Sequence, residues 1–367
     1  MRNGFFGLSL GAMDVPFTDT HLQPGFRAGE IRTPPAAFQI TLLGHQFNPY
    51  ISADMTYTRP MKWANFDNIN GGPQGHSAWV VLGEFKLRGR VPIADRLWLY
   101  GDAGIALTSR HGAKNDAGAV VIGNANYPAF LTGGGLQYQV NPRWSFLAGI
   151  TRTSGSEEDN HPRSLLVTTG VRYHLSPLPA DQVAAAARSE YLVPANTVQV
   201  AYAASLAGRG LNDFFSSTVP IFWGGSLQVD HGFRVSYERN LFHTKRWIAF
   251  DMGISGARWH AQKSEEHLAS VSFYPQLRFF LVRTPSADMQ ITYSVASPTI
   301  LSQTTQNGAE IGTTRFSFQD LMGISIVAGR NRRTLIGLGI GHYSNGNLLP
   351  VNAGVAIPLT ISLGYAF

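Results

Sequence analysis

The chain has no cysteine, few charged residues and no long apolar run. Without cysteine the chain can form no disulfide scaffold, and no thiolate is present to act as a nucleophile or to bind a metal. Charged residues make up 14% of the sequence, whereas a typical soluble domain has about 25%. No stretch approaches the roughly 18 apolar residues of a transmembrane helix. The sequence therefore matches neither an ordinary soluble enzyme nor a helical membrane protein.

What the chain has instead is alternation of apolar and polar residues, in short segments separated by turn residues along its 367 positions. The 39 glycines and the 11% of aromatic residues fit the same pattern. Segments of this kind predict transmembrane β-strands, whose side chains point alternately to lipid and to the barrel lumen. The formal charge of +6 suits a phosphate-bearing partner, or is charge scattered over loops. The predicted fold class is an all-β transmembrane barrel.

The alternating pattern predicts eight strands in each half of the chain. In the first half they fall near residues 4–13, 37–45, 50–62, 77–91, 97–109, 128–140, 144–154 and 164–175. In the second half they fall near residues 196–206, 219–242, 246–262, 267–283, 287–301, 313–330, 333–345 and 354–367. Short turns alternate with long polar loops, as in outer-membrane barrels with short periplasmic turns and longer extracellular loops.

The predicted domains are a barrel over residues 1–175, a periplasmic linker over 176–194 and a second barrel over 195–367. The linker begins with a proline-containing segment and continues into a helix-prone run at 181–190. An eight-stranded barrel begins and ends on the same side of the membrane, so a linker confined to the periplasm can join two of them. The alternative is one barrel of sixteen strands, and the internal closing strand near 164–175 favours two.

The first half resembles the small OmpA-like eight-stranded barrels. The stretches that carry the resemblance are 47–54, 99–105 and 133–144, together with Val-Arg-Tyr-His-Leu at 171–175. The chain ends with Leu-Gly-Tyr-Ala-Phe at 363–367, which resembles the signal read by the barrel-assembly machinery. These resemblances imply a bacterial outer-membrane location. Because Met1-Arg2-Asn3 leads directly into a strand, we expect a mature chain whose export signal is absent.

The segment at 335–345 carries the candidate chemistry. It alternates strictly, and His342 and Ser344 continue the face that begins with Ile336, Leu338 and Ile340. A serine hydroxyl becomes a useful nucleophile only when a base removes its proton, and a base two residues away on the same strand face is within reach. With the first strand of this half rising from the periplasm, the pair is expected at the extracellular end, facing lipid.

The sequence that follows, His342-Tyr-Ser-Asn-Gly-Asn-Leu-Leu-Pro-Val-Asn-Ala-Gly354, resembles the motif of the lipid A 3-O-deacylase family. The resemblance extends over about residues 195–367. It implies that Ser344 is the nucleophile and His342 the general base, and that Asn345 and Asn352 shape the loop and help hold the oxyanion. The implied reaction is hydrolysis of an acyl ester of lipid A in the outer leaflet, a carboxylic ester hydrolysis that needs no cofactor.

The chain departs from this family at one position. The deacylases have an acidic residue fourteen positions after the histidine, and here that residue is Ala356. Folding the hairpin about Asn331 sets Asp320 opposite His342, so Asp320 is the candidate replacement for the acid. The alternative function is a catalytically inactive structural or interaction barrel, for example a subunit of an outer-membrane assembly that has kept the motif as scaffold.

Other features predict structure rather than chemistry. Gly-Leu-Ser-Leu-Gly at 7–11 matches a nucleophile-elbow pattern but lies inside a strand with no helix after it. The histidines at 111, 161, 231, 243, 260 and 267 show no metal-ligand spacing, so no metal is expected. The tryptophans at 63, 98, 144, 223, 247 and 259 lie near strand ends and predict aromatic girdles. Expected partners are lipopolysaccharide, outer-membrane lipids, the barrel-assembly machinery and envelope proteins that contact loops of the first barrel; nucleic acid is not expected.

Overall fold

In a computed structural model the chain divides into two compact units, Met1–Ser176 and Pro177–Phe367. The structure describes residues 3–73, 75–175, 181, 192–205, 225, 227–244, 246–262, 266–306 and 308–367. Most of the predicted linker, including the helix-prone run after residue 181, lies outside the described residues. Among the described residues, no helix is long and apolar enough to span a membrane.

The first unit is built from strands with two short 3-10 helices, at Asp19–His21 and Ile69–Gly71. Its strands are β1 (Gly4–Asp14), β2 (Glu30–Arg32), β3 (Ala36–Gln46), β4 (Ile51–Pro60), β5 (Ala64–Asp67), β6 (His76–Ala94), β7 (Leu97–His111), β8 (Ala113–Lys114), β9 (Val120–Ile122), β10 (Ala125–Gln139), β11 (Trp144–Thr153) and β12 (Ser164–His174). Eight of them, β1, β3, β4, β6, β7, β10, β11 and β12, pair in that order around a barrel, which closes where β1 pairs antiparallel with β12.

The second unit is also a closed barrel. Its strands are β13 (Asn196–Ala204), β14 (Leu227–His243), β15 (Ile248–Ala261), β16 (His267–Arg283), β17 (Ala287–Leu301), β18 (Thr305–Gln306), β19 (Ala309–Glu310), β20 (Phe316–Ala328), β21 (Thr334–Ser344) and β22 (Val355–Ala366). The closing pair is β13 with β22, while β18 and β19 form a separate two-stranded sheet.

The predicted architecture of two tandem eight-stranded antiparallel barrels is confirmed, because β12 pairs with β1 and β11, whereas β13 pairs with β14 and β22. A single sixteen-stranded barrel would join β12 to β13, so that alternative is wrong. The predicted strand positions agree with the observed ones to within a few residues, apart from the one at 219–242. That strand is Leu227–His243, and residues 219–224 lie outside the described part of the chain.

Both barrels have polar interiors and apolar exteriors. In the first, Lys86 Nζ lies 3.1 Å from a Glu84 carboxylate oxygen inside the lumen. In the second, Arg278 forms a bidentate ion pair with Asp251. The outer surface exposes aliphatic side chains such as Leu363, which is 62% exposed. In water this arrangement would leave a large apolar surface solvated, whereas in a bilayer it faces hydrocarbon.

One of the predicted girdle tryptophans faces the other way. Trp259 is 1% exposed and lies inside the second barrel, where its Nε1 donates to the Tyr343 hydroxyl at 2.9 Å. The prediction for Trp259 was therefore wrong, and Trp223 lies outside the described residues. Trp144 and Trp247 are 41% and 58% exposed, as a girdle position requires.

The long loops of the first unit pack onto each other above the barrel. Their buried cluster includes Val15, Phe17, Leu22, Phe66, Val121, Ile122 and Tyr127. The Arg110 guanidinium organises the polar side of the cluster, because it donates to the carbonyl oxygens of Gly123, Asp159 and Asn160 at 2.6–2.9 Å. The Nδ1 atom of His161 lies 3.4 Å from the same guanidinium. The same cluster continues into the adjoining strands, with Val80 and Leu82 of β6 and Leu131 of β10 among its members, so the loops pack onto this end of the barrel.

This loop core is expected to loosen in acid. Burial, together with the nearby charge of Arg110, lowers the pKa of His161 to about 3. A histidine whose folded pKa lies below its unfolded value of about 6.5 contributes stability that is complete above pH 6.5 and is lost as the pH falls toward 3. Amide hydrogen exchange across residues 155–163, corrected for intrinsic rates, should therefore accelerate between pH 7 and pH 4.

A His161→Gln variant provides the control for this measurement. Its amide stays neutral at every pH, so the acid-dependent part of the exchange in this segment should disappear. The same acceleration in parent and variant would show that another group is responsible.

Candidate functional site

The hairpin of β20 and β21 positions the candidate residues. Its turn is fixed by Arg332, which is 1% exposed, has a left-handed φ of +53° and donates to Asp288 Oδ2 at 2.8 Å and to Gly329 O at 2.7 Å. With the turn held in this way, Ala328 pairs with Thr334, and the register continues without interruption to the far end of the hairpin. There Asp320 lies opposite His342, and Phe318 lies opposite Ser344. The predicted cross-strand pairing of Asp320 with His342 is confirmed.

The carboxylate of Asp320 faces the imidazole of His342. Asp320 Oδ2 lies 3.7 Å from His342 Nδ1, and the two side chains are 13% and 2% exposed. The other carboxylate oxygen accepts a hydrogen bond from the backbone N–H of Ala296 at 2.7 Å. A carboxylate held by a backbone donor has little freedom to turn away from its second partner. Asp320 is therefore oriented toward the ring.

The Ala296 amide can reach Asp320 because β17 contains a bulge. The register of β17 against β20 shifts by one residue between Ser294 and Ser297, and Ala296 has a left-handed φ of +51°. A bulge leaves an extra residue outside the regular ladder, so its N–H is available to a side chain. This bulge lies at the depth of Asp320 and aims a donor at its carboxylate.

A second irregularity lies on the other side of the histidine. The register of β21 against β22 shifts between Gly339 and Gly341, and beyond the shift His342 pairs directly with Ala356. The position at which the deacylase family has its acid therefore flanks the imidazole from β22, while Asp320 flanks it from β20. His342 lies between a methyl group and a carboxylate.

Ser344 is the last residue of β21 and is partly exposed. The backbone N–H of Gly346 donates to its Oγ at 3.3 Å, which makes Gly346 a backbone donor directed at the hydroxyl. Gly346 and Asn347 both have left-handed φ angles, +64° and +61°. The Gly346 amide was not predicted from the sequence, where its one signal is the Asn-Gly-Asn run that is typical of a tight turn.

The two asparagines hold the loop after β21. The N–H of Asn345 donates to Asn352 Oδ1 at 3.0 Å, and its side-chain amide donates to Val351 O at 2.6 Å. Asn352 Nδ2 donates in turn to Asn347 Oδ1 at 2.6 Å. These bonds draw residues 351–352 back onto residue 345. They support the predicted loop-shaping role of the asparagines, and their contribution to an oxyanion site stays a prediction.

Tyr343, between the two candidate residues, anchors the strand from inside. It is fully buried in the lumen, where its hydroxyl interacts with Trp259 Nε1 at 2.9 Å, Ser270 Oγ at 2.7 Å and Gln319 Nε2 at 3.0 Å. Consecutive strand residues point to opposite faces, so this network holds His342 and Ser344 outward. Sequence reasoning did not identify Tyr343, since its partners come from three other strands.

The five predicted site residues fall into two groups by location, one on the strands of the hairpin and one in the loop after β21. Asp320, His342 and Ser344 share the outward face at one end of the hairpin, and Asn345 and Asn352 form the adjoining loop. Two of the apolar residues on the same face of β21 are exposed as predicted, Ile336 at 53% and Leu338 at 47%, whereas Ile340 and His342 are buried at 5% and 1% exposed. The arrangement brings a hydroxyl, an imidazole and a carboxylate to one end of the hairpin.

Comparison with known proteins gives a family match within the second barrel. A family model described as Lipid A 3-O-deacylase (PagL) matches residues 231–365, which is less than half of the chain. The match confirms the resemblance of the C-terminal half to that family. No curated protein sequence matches the chain.

Several solved structures are similar to one half of the chain. The outer membrane enzyme PagL is 15% identical, with 47% of this chain and 99% of that chain covered and a TM-score of 0.35. The N-terminal β-barrel domain of Pseudomonas aeruginosa OprF is 12% identical, with coverages of 47% and 98% and a TM-score of 0.31. The attachment invasion locus protein Ail of Yersinia pestis, in complex with sucrose octasulfate, is 15% identical, with coverages of 47% and 99% and a TM-score of 0.31.

Proposed function

We propose that the second barrel lies in the bacterial outer membrane and is a lipid A 3-O-deacylase that hydrolyses an acyl ester of lipid A. The observation that carries the proposal is the pairing of Asp320 with His342, at 3.7 Å, two residues from Ser344 on the same strand face. An acid on one flank of the imidazole compensates for Ala356 on the other.

In the proposed reaction, Ser344 Oγ attacks the ester carbonyl while His342 accepts the hydroxyl proton. Because Nδ1 of the ring faces Asp320, Nε2 is the nitrogen that takes this proton, and Asp320 stabilises the imidazolium that forms. Collapse of the tetrahedral intermediate returns the proton to the leaving alcohol of the sugar. Water, deprotonated by His342, then releases the fatty acid from Ser344.

The oxyanion of each tetrahedral intermediate needs donors that are already in place, because only preorganised dipoles stabilise charge as it develops. The N–H of Gly346 lies 3.3 Å from Ser344 Oγ and is a backbone donor beside the carbon that the serine would attack. Asn345 and Asn352 hold the loop that carries it, and by resemblance to the family they take part in the oxyanion site. The residues after Ser344 therefore contribute to catalysis by holding the loop that carries these hydrogen-bond donors.

Substrate access follows from the outward face. Lipid A and the dyad occupy the same leaflet if this end of the barrel is extracellular, so the acyl chain reaches Ser344 by lateral diffusion. Phe318 lies opposite Ser344 and contacts Phe316, with 5.1 Å between ring centroids, and Phe316 is 41% exposed. This pair gives an acyl chain an apolar surface beside the nucleophile.

The test is a mass spectrum of lipid A from cells with and without the protein. We expect a species that lacks one hydroxyacyl chain only when the protein is present. Identical spectra, repeated with purified protein and isolated lipopolysaccharide, would favour the alternative function of an inactive structural or interaction barrel.

The proposal also assigns a surface of the chain to each expected partner. The C-terminal strand, with Tyr365 and Phe367 exposed at its end, is offered as the segment that the barrel-assembly machinery recognises. The packed loops of the first barrel are offered as the surface for envelope proteins. Lipopolysaccharide is the substrate and outer-membrane lipids are the surrounding solvent.

A further inference from the structure

Three adjacent strands of the second barrel bring three histidines into one row. His231 of β14 pairs with His260 of β15, and His260 pairs with His267 of β16. The neighbour of His260 on β15 is Trp259, which points into the lumen, so His260 points outward. The row lies at the end of the barrel where β14 begins beside β22, which is also the end that carries Ser344.

A carboxylate joins this row because β14 has a bulge. Its register against β15 shifts between Val229 and His231, which leaves Asp230 as the extra residue. Asp230 Oδ2 lies 3.0 Å from His231 Nδ1, and the side chains are 43% and 47% exposed. Ser205 Oγ donates to the other carboxylate oxygen at 2.7 Å. The carboxylate is therefore held with one oxygen fixed and the other facing the imidazole.

The ligand-type atoms are close together. The imidazole rings of His231 and His260 stack with 4.6 Å between centroids and 14° between planes. One donor atom from each of Asp230, His231 and His260 can be chosen so that all three lie within 4.8 Å of one another. Donors around a tetrahedral zinc ion lie about 3.3 Å apart, given metal–ligand distances of about 2.0–2.1 Å. Small rotations of partly exposed side chains close that difference.

We propose that Asp230, His231 and His260 bind a divalent transition-metal cation, with Zn²⁺ as the best match. Two imidazole nitrogens and one carboxylate oxygen suit zinc, whereas Mg²⁺ and Ca²⁺ prefer sites made of oxygen alone. Ser205 orients the carboxylate from behind, as outer partners of metal ligands do. The ring of His267 lies 5.0 Å from that of His260, on the neighbouring strand β16.

Spacing along the sequence could not reveal this site. The ligands come from two strands, and their proximity depends on the β14–β15 register and on the bulge at Asp230. The expectation that no metal binds rested on the absence of a local ligand motif, and a cross-strand site has none. Three protein ligands also leave a coordination position open to water or to an anionic group.

The test measures zinc binding directly on the untagged full-length protein, folded in detergent micelles. Calorimetric titration at pH 7.5 should give one saturable site. His260→Gln should weaken that site by at least about tenfold, because even the loss of an outer-shell partner costs about 10–100-fold in metal affinity, and Asp230→Asn should weaken it as well. His243→Gln, a change of the same type at the other end of β14, should leave the affinity unchanged.

Far-UV circular dichroism and gel mobility before and after heating establish that each variant is folded. If His260→Gln does not fold, Asp230→Asn serves as the deciding variant, because it keeps the size of the side chain. The proposal is overturned if the parent shows no saturable zinc binding, or if zinc binds equally well to the parent and to the folded Asp230→Asn and His260→Gln variants. Lipid A deacylation does not enter this measurement, so the result is independent of the proposed function.

Discussion

Ser344→Ala is expected to abolish deacylation of lipid A by the purified protein. The substitution removes the oxygen that forms the acyl-enzyme, and in serine hydrolases loss of the nucleophile lowers kcat by about 10⁶-fold. The side chain is small, partly exposed and at the end of β21, so little packing is lost. The rate of release of the hydroxy fatty acid from lipopolysaccharide micelles, followed by mass spectrometry, gives the result.

Ser325→Ala is the matched control. Ser325 lies on β20 of the same hairpin but faces the lumen, where it accepts a hydrogen bond from Gln290 Nε2 at 3.1 Å. This variant should keep most of the parent activity. Deacylation that survives in Ser344→Ala would refute the nucleophile assignment, whereas an inactive parent would point to a structural barrel.

Strict alternation was enough to predict the hairpin that carries these residues. In an antiparallel pair, two residues face each other when their numbers add up to a constant, so placing the turn at Asn331 predicts that 320 lies opposite 342. The observed register agrees. The turn residues in the sequence predict where the hairpin turns. They do not predict how firmly the turn is held, because Arg332 holds it through a contact with Asp288 of the neighbouring strand β17.

Bulges mark the limit of that reasoning. A bulge shifts the register by one residue and reverses which residues face outward beyond it, and nothing in the local sequence around Ala296 or Asp230 reveals it. The bulge in β17 supplies the N–H that holds Asp320, and the bulge in β14 brings Asp230 to the histidines. Trp259 shows a related limit: its place near a strand end predicted a girdle, while the register directs it inward.

Asp320→Asn is the second large effect. The amide can still face Nδ1 of His342, but it carries no charge to stabilise an imidazolium and can favour the wrong tautomer. When the acid of a serine-hydrolase triad becomes asparagine, kcat falls by about 10⁴-fold. We expect a loss of about this size in the same lipopolysaccharide assay, with an unchanged circular dichroism spectrum because the two side chains have nearly the same shape.

A second substitution separates loss of the acid from loss of a merely structural contact. Ala356 pairs directly with His342 from the opposite side, so Ala356→Glu places a carboxylate where the deacylase family has one. The double variant Asp320→Asn with Ala356→Glu should hydrolyse lipid A at least about tenfold faster than Asp320→Asn alone, because a carboxylate on either side of the imidazole can supply the charge.

If Asp320→Asn is as active as the parent, Asp320 is not the orienting acid. If the double variant is as slow as Asp320→Asn, the loss of negative charge beside His342 does not explain the loss of activity in Asp320→Asn. Activity that falls in Asp320→Asn and returns with glutamate at position 356 would identify the carboxylate on β20 as this chain's replacement for the missing acid.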